Sequence, residues 1–185
     1  MNDDKPQPKW HAQEVHDAHA AAIGRMAIAW NEFQESLGEI FANLFGKQRA
    51  AEALAAWHAL ENDRAQREML GAVAQQKLRR RHRGYDEICW LIDTANRKLA
   101  DHRNDGIHTP LMVFTDLTTD SVARILPNMM FGHMRAKKLW GKDLLKEFET
   151  YATRIRQMTT FAIAIGAKIR KPSSMRGWPK RPTLN

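Results

Sequence analysis

Seven apolar residues near the start of the chain, Ile23, Met26, Trp30, Phe33, Leu37, Ile40 and Leu44, stand alternately three and four positions apart. That spacing winds them onto one face of a long α-helix. Gly46 then ends the helix, in the place after the last turn where glycine is favoured. A second stripe of the same kind, Leu144, Phe148, Tyr151, Ile155, Met158, Ala162, Ile165 and Ile169, predicts a final helix starting near Gly141.

Shorter helices fill the space between. An alanine-rich stretch, about Arg49 to Leu60, reads as a second helix, and Asn62 or Asp63 is placed to cap a third that runs to about Leu78. Gly84 breaks the chain, and a fourth helix begins near Tyr85 with the stripe Ile88, Ile92, Ala95 and Leu99, which His102 and Gly106 continue. Thr109-Pro110 ends it, because proline pushes its predecessor out of the helical region. From Leu111 to Ile125 apolar β-formers surround a polar turn, Asp116 to Ser121, which predicts either a small hairpin or a loop within an insertion at 111–133. The expectation is an all-α fold, an antiparallel bundle of about five helices. Residues 1–12 read as a flexible tail, 13–170 as the bundle, and 171–185 as a basic, proline-containing tail. The stripes are wide and rich in Trp, Phe and Met, so one of them is expected to bury a second subunit in a homodimer.

Composition narrows the function classes. Lys and Arg number 29 against 21 Asp and Glu, a net charge of +8, and the excess is clustered. Lys77, Arg79, Arg80, Arg81 and Arg83 form one cluster, and Lys168, Arg170, Lys171, Arg176, Lys180 and Arg181 another. Such clusters attract polyanions, nucleic acid foremost; a solvated loop and a ragged tail account for them equally well on charge alone. Arg79, Arg80, Arg81 and Arg83 are the candidate nucleic-acid-binding residues. Cys89 is the only cysteine, which excludes an intrachain disulfide and suits a reducing, cytoplasmic setting. Its apolar neighbours Ile88, Trp90 and Leu91 predict a buried, inert thiol. No window approaches the roughly 20 apolar residues that cross a bilayer, and the polar start does not resemble a signal peptide, so no membrane partner is expected.

Several motifs are missing. No two glycines are separated by one residue, and neither Gly46-Lys47 nor Gly141-Lys142 is followed by Ser or Thr, so dinucleotide and P-loop fingerprints are excluded. No glutamate precedes a histidine by three residues, the pairing that di-metal bundles use. His11, His16 and His19 read as surface histidines, and neither metal nor cofactor is expected.

The chemically densest segment is Leu99 to His108. Arg103 and His108 lie about 140° apart round an ideal helix, while Asn104 and His108, four apart, share a face. An arginine holds phosphate oxygens by its fork, and an imidazole transfers protons near neutral pH. The bland reading is a helix C-terminus whose cations suit the macrodipole. His102, continuing the apolar stripe, reads as a packed histidine; Asp105 reads as a polar residue on an exposed helix end. Gly106 permits close approach of another backbone or a ligand.

The six residues Arg103-Asn104-Asp105-Gly106-Ile107-His108 resemble the Arg-polar-x3-His signature of the HEPN superfamily, all-α bundles that include many metal-independent ribonucleases of toxin and defence systems. In that family the signature lies near the end of a bundle helix and follows a long amphipathic first helix, as here. The resemblance implies a homodimer with facing motifs and RNA as substrate. Arg103 would steady the scissile phosphate, His108 would transfer protons, and Asn104 would orient the site. A ribose 2′-hydroxyl would then attack the adjacent phosphate. An active ribonuclease of this kind also implies an inhibitory partner protein. Some toxin members carry a modifiable tyrosine two residues after the histidine. Pro110 stands there, so that control is not implied. Two other readings use the same residues: a non-catalytic RNA- or nucleotide-binding bundle, and a structural module in which Arg103 forms intersubunit ion pairs.

Overall fold

The computed structural model describes residues 9–78, 82–114, 124–130, 132–174 and 177–184. The fold is an all-α helical bundle with one small hairpin. Helix α1 spans Lys9–Phe45, α2 Ala50–His58, α3 Asp63–Lys77 and α4 Arg83–Thr94. A π-turn at Ala95–Leu99 joins α4 to α5, Ala100–His108, and α6 (Met134–Leu139) and α7 (Leu144–Arg170) follow the hairpin. Among the described residues no helix is long and apolar enough to cross a membrane.

The chain divides into two compact units. One holds Met1–Ala27 and His102–Tyr151, the other Ile28–Asp101 and Ala152–Asn185. In the second unit the α1 stripe is buried as its spacing predicts: Phe33, Leu37 and Ile40 are fully covered and Trp30 is 3% exposed. Each such side chain contributes roughly 1.5–3 kcal/mol of burial. Phe41 packs its ring 5.7 Å from that of Trp57 on α2. Gly38 lies so close to the Trp57 indole that a Cβ there would stand 2.9 Å from Nε1. Trp30 donates from Nε1 to Asp63 Oδ2 at 2.7 Å, which resolves the polar end of a buried indole.

Local signals fix the helix ends. Gly46 adopts φ 80° and ψ 166°, an extended positive-φ conformation open essentially to glycine alone, where α1 ends. Asn62 caps α3, accepting from the backbone N–H groups of Arg64 (2.8 Å) and Ala65 (3.2 Å). Asp143 opens α7 by accepting from Lys146 N at 3.2 Å, and the helix starts at Leu144, three residues past the glycine that the sequence marks as the start.

The first unit contains the insertion. Strands β1 (Leu111–Phe114) and β2 (Arg124–Pro127) pair antiparallel, with Leu111 opposite Pro127 and Phe114 opposite Arg124. The hairpin alternative therefore holds, although the expected turn, Asp116 to Ser121, lies outside the described residues. Ile125, Ala136 and Leu139 are buried here with Met26, Leu144 and Phe148.

Four expectations need correction. Helix α1 begins at Lys9, inside the segment 1–12 assigned to a tail, because Lys9 to Ala12 extend the helix that follows. Directly after the insertion stands α6, a further short helix whose Ala136 and Leu139 give it too little stripe to show in the sequence. The C-terminal segment is docked: Arg181 Nε reaches Glu87 Oε2 at 2.6 Å and its guanidinium lies over the Trp90 ring at 5.1 Å. Cys89 is half-buried, since the turn of α4 that carries it opens onto a cavity against α3.

Candidate functional site

Helix α5 displays the Arg-polar-x3-His residues on its last two turns. Arg103 and Asn104 are half-buried, and His108, the final residue of the helix, is exposed. Arg103 donates from Nη1 to Asn104 Oδ1 at 3.0 Å. That bond occupies the amide oxygen and leaves the Asn104 NH2 as a donor beside the remaining guanidinium N–H groups. Arg103 Nε is buried without a hydrogen-bond partner among the described residues. A guanidinium, an amide donor and an accessible imidazole within six residues suit an oxyanion and proton transfer next to it. The described strands of the insertion leave His108 uncovered.

The neighbours hold this helix by different means. His102 is stacked flat on Tyr151, ring centroids 4.1 Å apart and 4° from parallel, in accord with a packed histidine. Asp105 contradicts its reading as an exposed residue: it is 1% exposed. Its carboxylate meets Arg135 Nη1 at 3.0 Å and Lys138 Nζ at 2.5 Å, both from α6. A carboxylate so deep in the protein requires cations, and α6 supplies them. Gly106 is also buried. A Cβ on it would collide with Met26 Cε, so the close approach is that of the Met26 side chain.

The predicted nucleic-acid contacts fare unevenly. Arg79, Arg80 and Arg81 lie outside the described residues. Arg83 sits on the first turn of α4, 55% exposed, and is paired to Glu87 at 2.5 Å. Glu87 is fully buried and shared with Arg181, so part of each basic cluster serves the fold. His19 corrects the surface reading: it is 7% exposed, with Nδ1 2.8 Å from the Val15 carbonyl. His16 is exposed as expected. Among the described residues no three of His, Cys, Asp and Glu gather as a metal site.

Sequence reasoning missed Arg67. This α3 arginine is 3% exposed, its Nε donates to Asn96 Oδ1 at 2.8 Å, and its guanidinium lies 5.4 Å over the Trp30 ring. Burial holds its pKa below the ordinary arginine value, against the pull of Asp63 in the other direction. No spacing or motif marks it, since α3 offers Arg64 and Arg67 to the reader alike. Only packing distinguishes them. Compared with protein-family models, curated proteins and solved structures, the chain matches none.

Proposed function

We propose that the chain is a HEPN-like, metal-independent endoribonuclease of toxin or defence type, acting as a homodimer through Arg103, Asn104 and His108. The observation that carries this reading is the coupling of the Arg103 guanidinium to Asn104 on the same helix end that leaves His108 open to solvent. In this reading Arg103 holds the scissile phosphate by its fork and Asn104 fixes the guanidinium while offering its NH2 to the substrate. His108 takes the proton of the ribose 2′-hydroxyl as its oxygen attacks phosphorus. The 5′-oxygen leaves with a proton, from the partner's imidazole, and a 2′,3′-cyclic phosphate remains. The reaction consumes no water in that step and balances without a metal.

Dimerisation draws support from the same unit, which leaves Ile107 38%, Phe114 53% and Met134 77% exposed. A contiguous exposed patch built from such side chains is what an association surface would present. The cytoplasm is the setting in which RNA and the single free thiol would both belong. An inhibitory partner completes the reading.

The test is incubation of the purified protein with mixed cellular RNA in EDTA, beside His108→Ala. Cleavage by the wild type alone, leaving cyclic phosphate ends, supports the reading. Equal cleavage by both removes His108 from the chemistry. Salt-dependent RNA binding without product assigns the protein to the non-catalytic binding class instead.

A further inference from the structure

The second unit contains a cavity of about 350 Å³ between α3 and the α4–π-turn rod. Arg67, Gln75, Tyr85, Cys89, Ile92 and Asn96 line it. Its size is at the lower end of sites that hold small molecules. Arg67 is the unusual member. It is 3% exposed, yet its Nη1 has no hydrogen-bond partner among the described residues. It makes no ion pair there either. The two acids at the cavity, Glu68 and Asp93, are engaged by Arg64 at 3.0 Å and Arg97 at 2.5 Å, each within its own helix stretch.

Asp63 and Glu68 favour the charged Arg67 only from beyond ion-pair distance, and a buried cation without a direct ion pair is costly. The surroundings hold Arg67 in place: Asn96 accepts from Nε, and Trp30 lies under the guanidinium with its own N–H tied to Asp63. Asn96 belongs to the π-turn Ala95–Leu99, a local widening of the helix that proteins use at functional positions. Ile92 and the small residues Gly71 and Ala72 give the rest of the wall an apolar character.

We propose that this cavity is a binding site for a small molecule bearing one carboxylate or phosphate on a compact apolar body, with Arg67 as the anion's partner. Asn96 is the positioning residue that aims Arg67, and Gln75 and Tyr85 supply polar contacts to the body. The inference stands whether or not RNA is cut.

Cys89, the single cysteine and a wall of the cavity, provides an internal reporter. The full-length protein is alkylated with iodoacetate and, in parallel, with iodoacetamide, and the Cys89 rates are read by intact mass. The anionic reagent should gain on the neutral one by roughly tenfold relative to free N-acetylcysteine, the scale of one charge at close range in a part-screened site. Gln48→Cys on a Cys89→Ser background, an exposed thiol between Lys47 and Arg49, controls for the diffuse positive charge of the protein. Saturating benzoate or inorganic phosphate should abolish the preference, and whichever acts at lower concentration identifies the headgroup. Arg67→Gln should bring the ratio to that of the free thiol. A wild-type ratio no higher than the control's overturns the proposal, and so does one that neither anion suppresses, a reading that needs the wild-type protein alone.

Discussion

Asp105 and Arg135 tie the motif helix to α6: Arg135 Nη1 lies 3.0 Å from Asp105 Oδ1, and the carboxylate is almost wholly buried. Lys138, one turn further along α6, takes the other oxygen at 2.5 Å. Residues three apart on a helix share a face, so α6 presents both cations to one carboxylate. The carboxylate sits between Asn104 and Gly106, and it holds α5 in the rotation that exposes His108.

Loss of this carboxylate should therefore be felt in stability. Stranding a buried charge costs about 3–5 kcal/mol, but Arg135 and Lys138 are 34% and 47% exposed and can regain water. Asp105→Asn is expected to cost about 1–3 kcal/mol, measured by urea unfolding.

Two glycines should respond differently to the same added methyl group. At Gly106 the colliding atom is the terminal carbon of Met26, a side chain that can turn away; at Gly38 it is the buried, rigid Trp57 indole, 2.9 Å from the new Cβ. Overpacking costs about 1–3 kcal/mol, and replacing a helical glycine by alanine returns about 1 kcal/mol. Gly106→Ala should cost about 1 kcal/mol or less, and Gly38→Ala about 2 kcal/mol. Equal unfolding midpoints for the two variants would contradict the distinction.

The docked C-terminal segment depends on Glu87, which is fully buried between Arg83 and Arg181. Arg181→Ala removes one of two arginines and is expected to cost about 1–2 kcal/mol, with faster proteolytic cleavage after residue 177. Glu87→Ala, which removes the carboxylate that both pairs share, should cost more. Calorimetric melting and timed proteolysis read the two effects.

On the ribonuclease reading, His108→Ala should lower cleavage by roughly 10²–10⁴-fold, the usual contribution of a proton-transfer group. Its melting temperature should not move, because the side chain is exposed. Arg103→Lys keeps the charge but loses the fork to Asn104, and should lower cleavage by about 10²-fold or more. A lysine variant with full activity would show that charge alone suffices there.

Much of the fold was legible in the order of residues. The α1 stripe from Met26 to Leu44 and the α7 stripe from Leu144 to Ile165 are buried as read, because helical periodicity is a local property that any core-facing helix must satisfy. The same holds for Gly46 and Asn62, whose effects reach no further than the next turn. The candidate site was legible as a string, Arg103 to His108, but not as an environment. Asp105 reads as solvent-facing until α6 brings Arg135 and Lys138 to it from 30 and more residues away.

Arg67 and Arg181 show the same limit from the other side. In sequence they are two arginines among many. Tertiary structure alone seats one over Trp30 beside a cavity and sends the other to Glu87. Periodicity and caps follow from local backbone geometry, which the sequence carries by itself. Which charges are buried, paired or left facing a cavity follows from desolvation, and desolvation is decided only when distant segments close over one another.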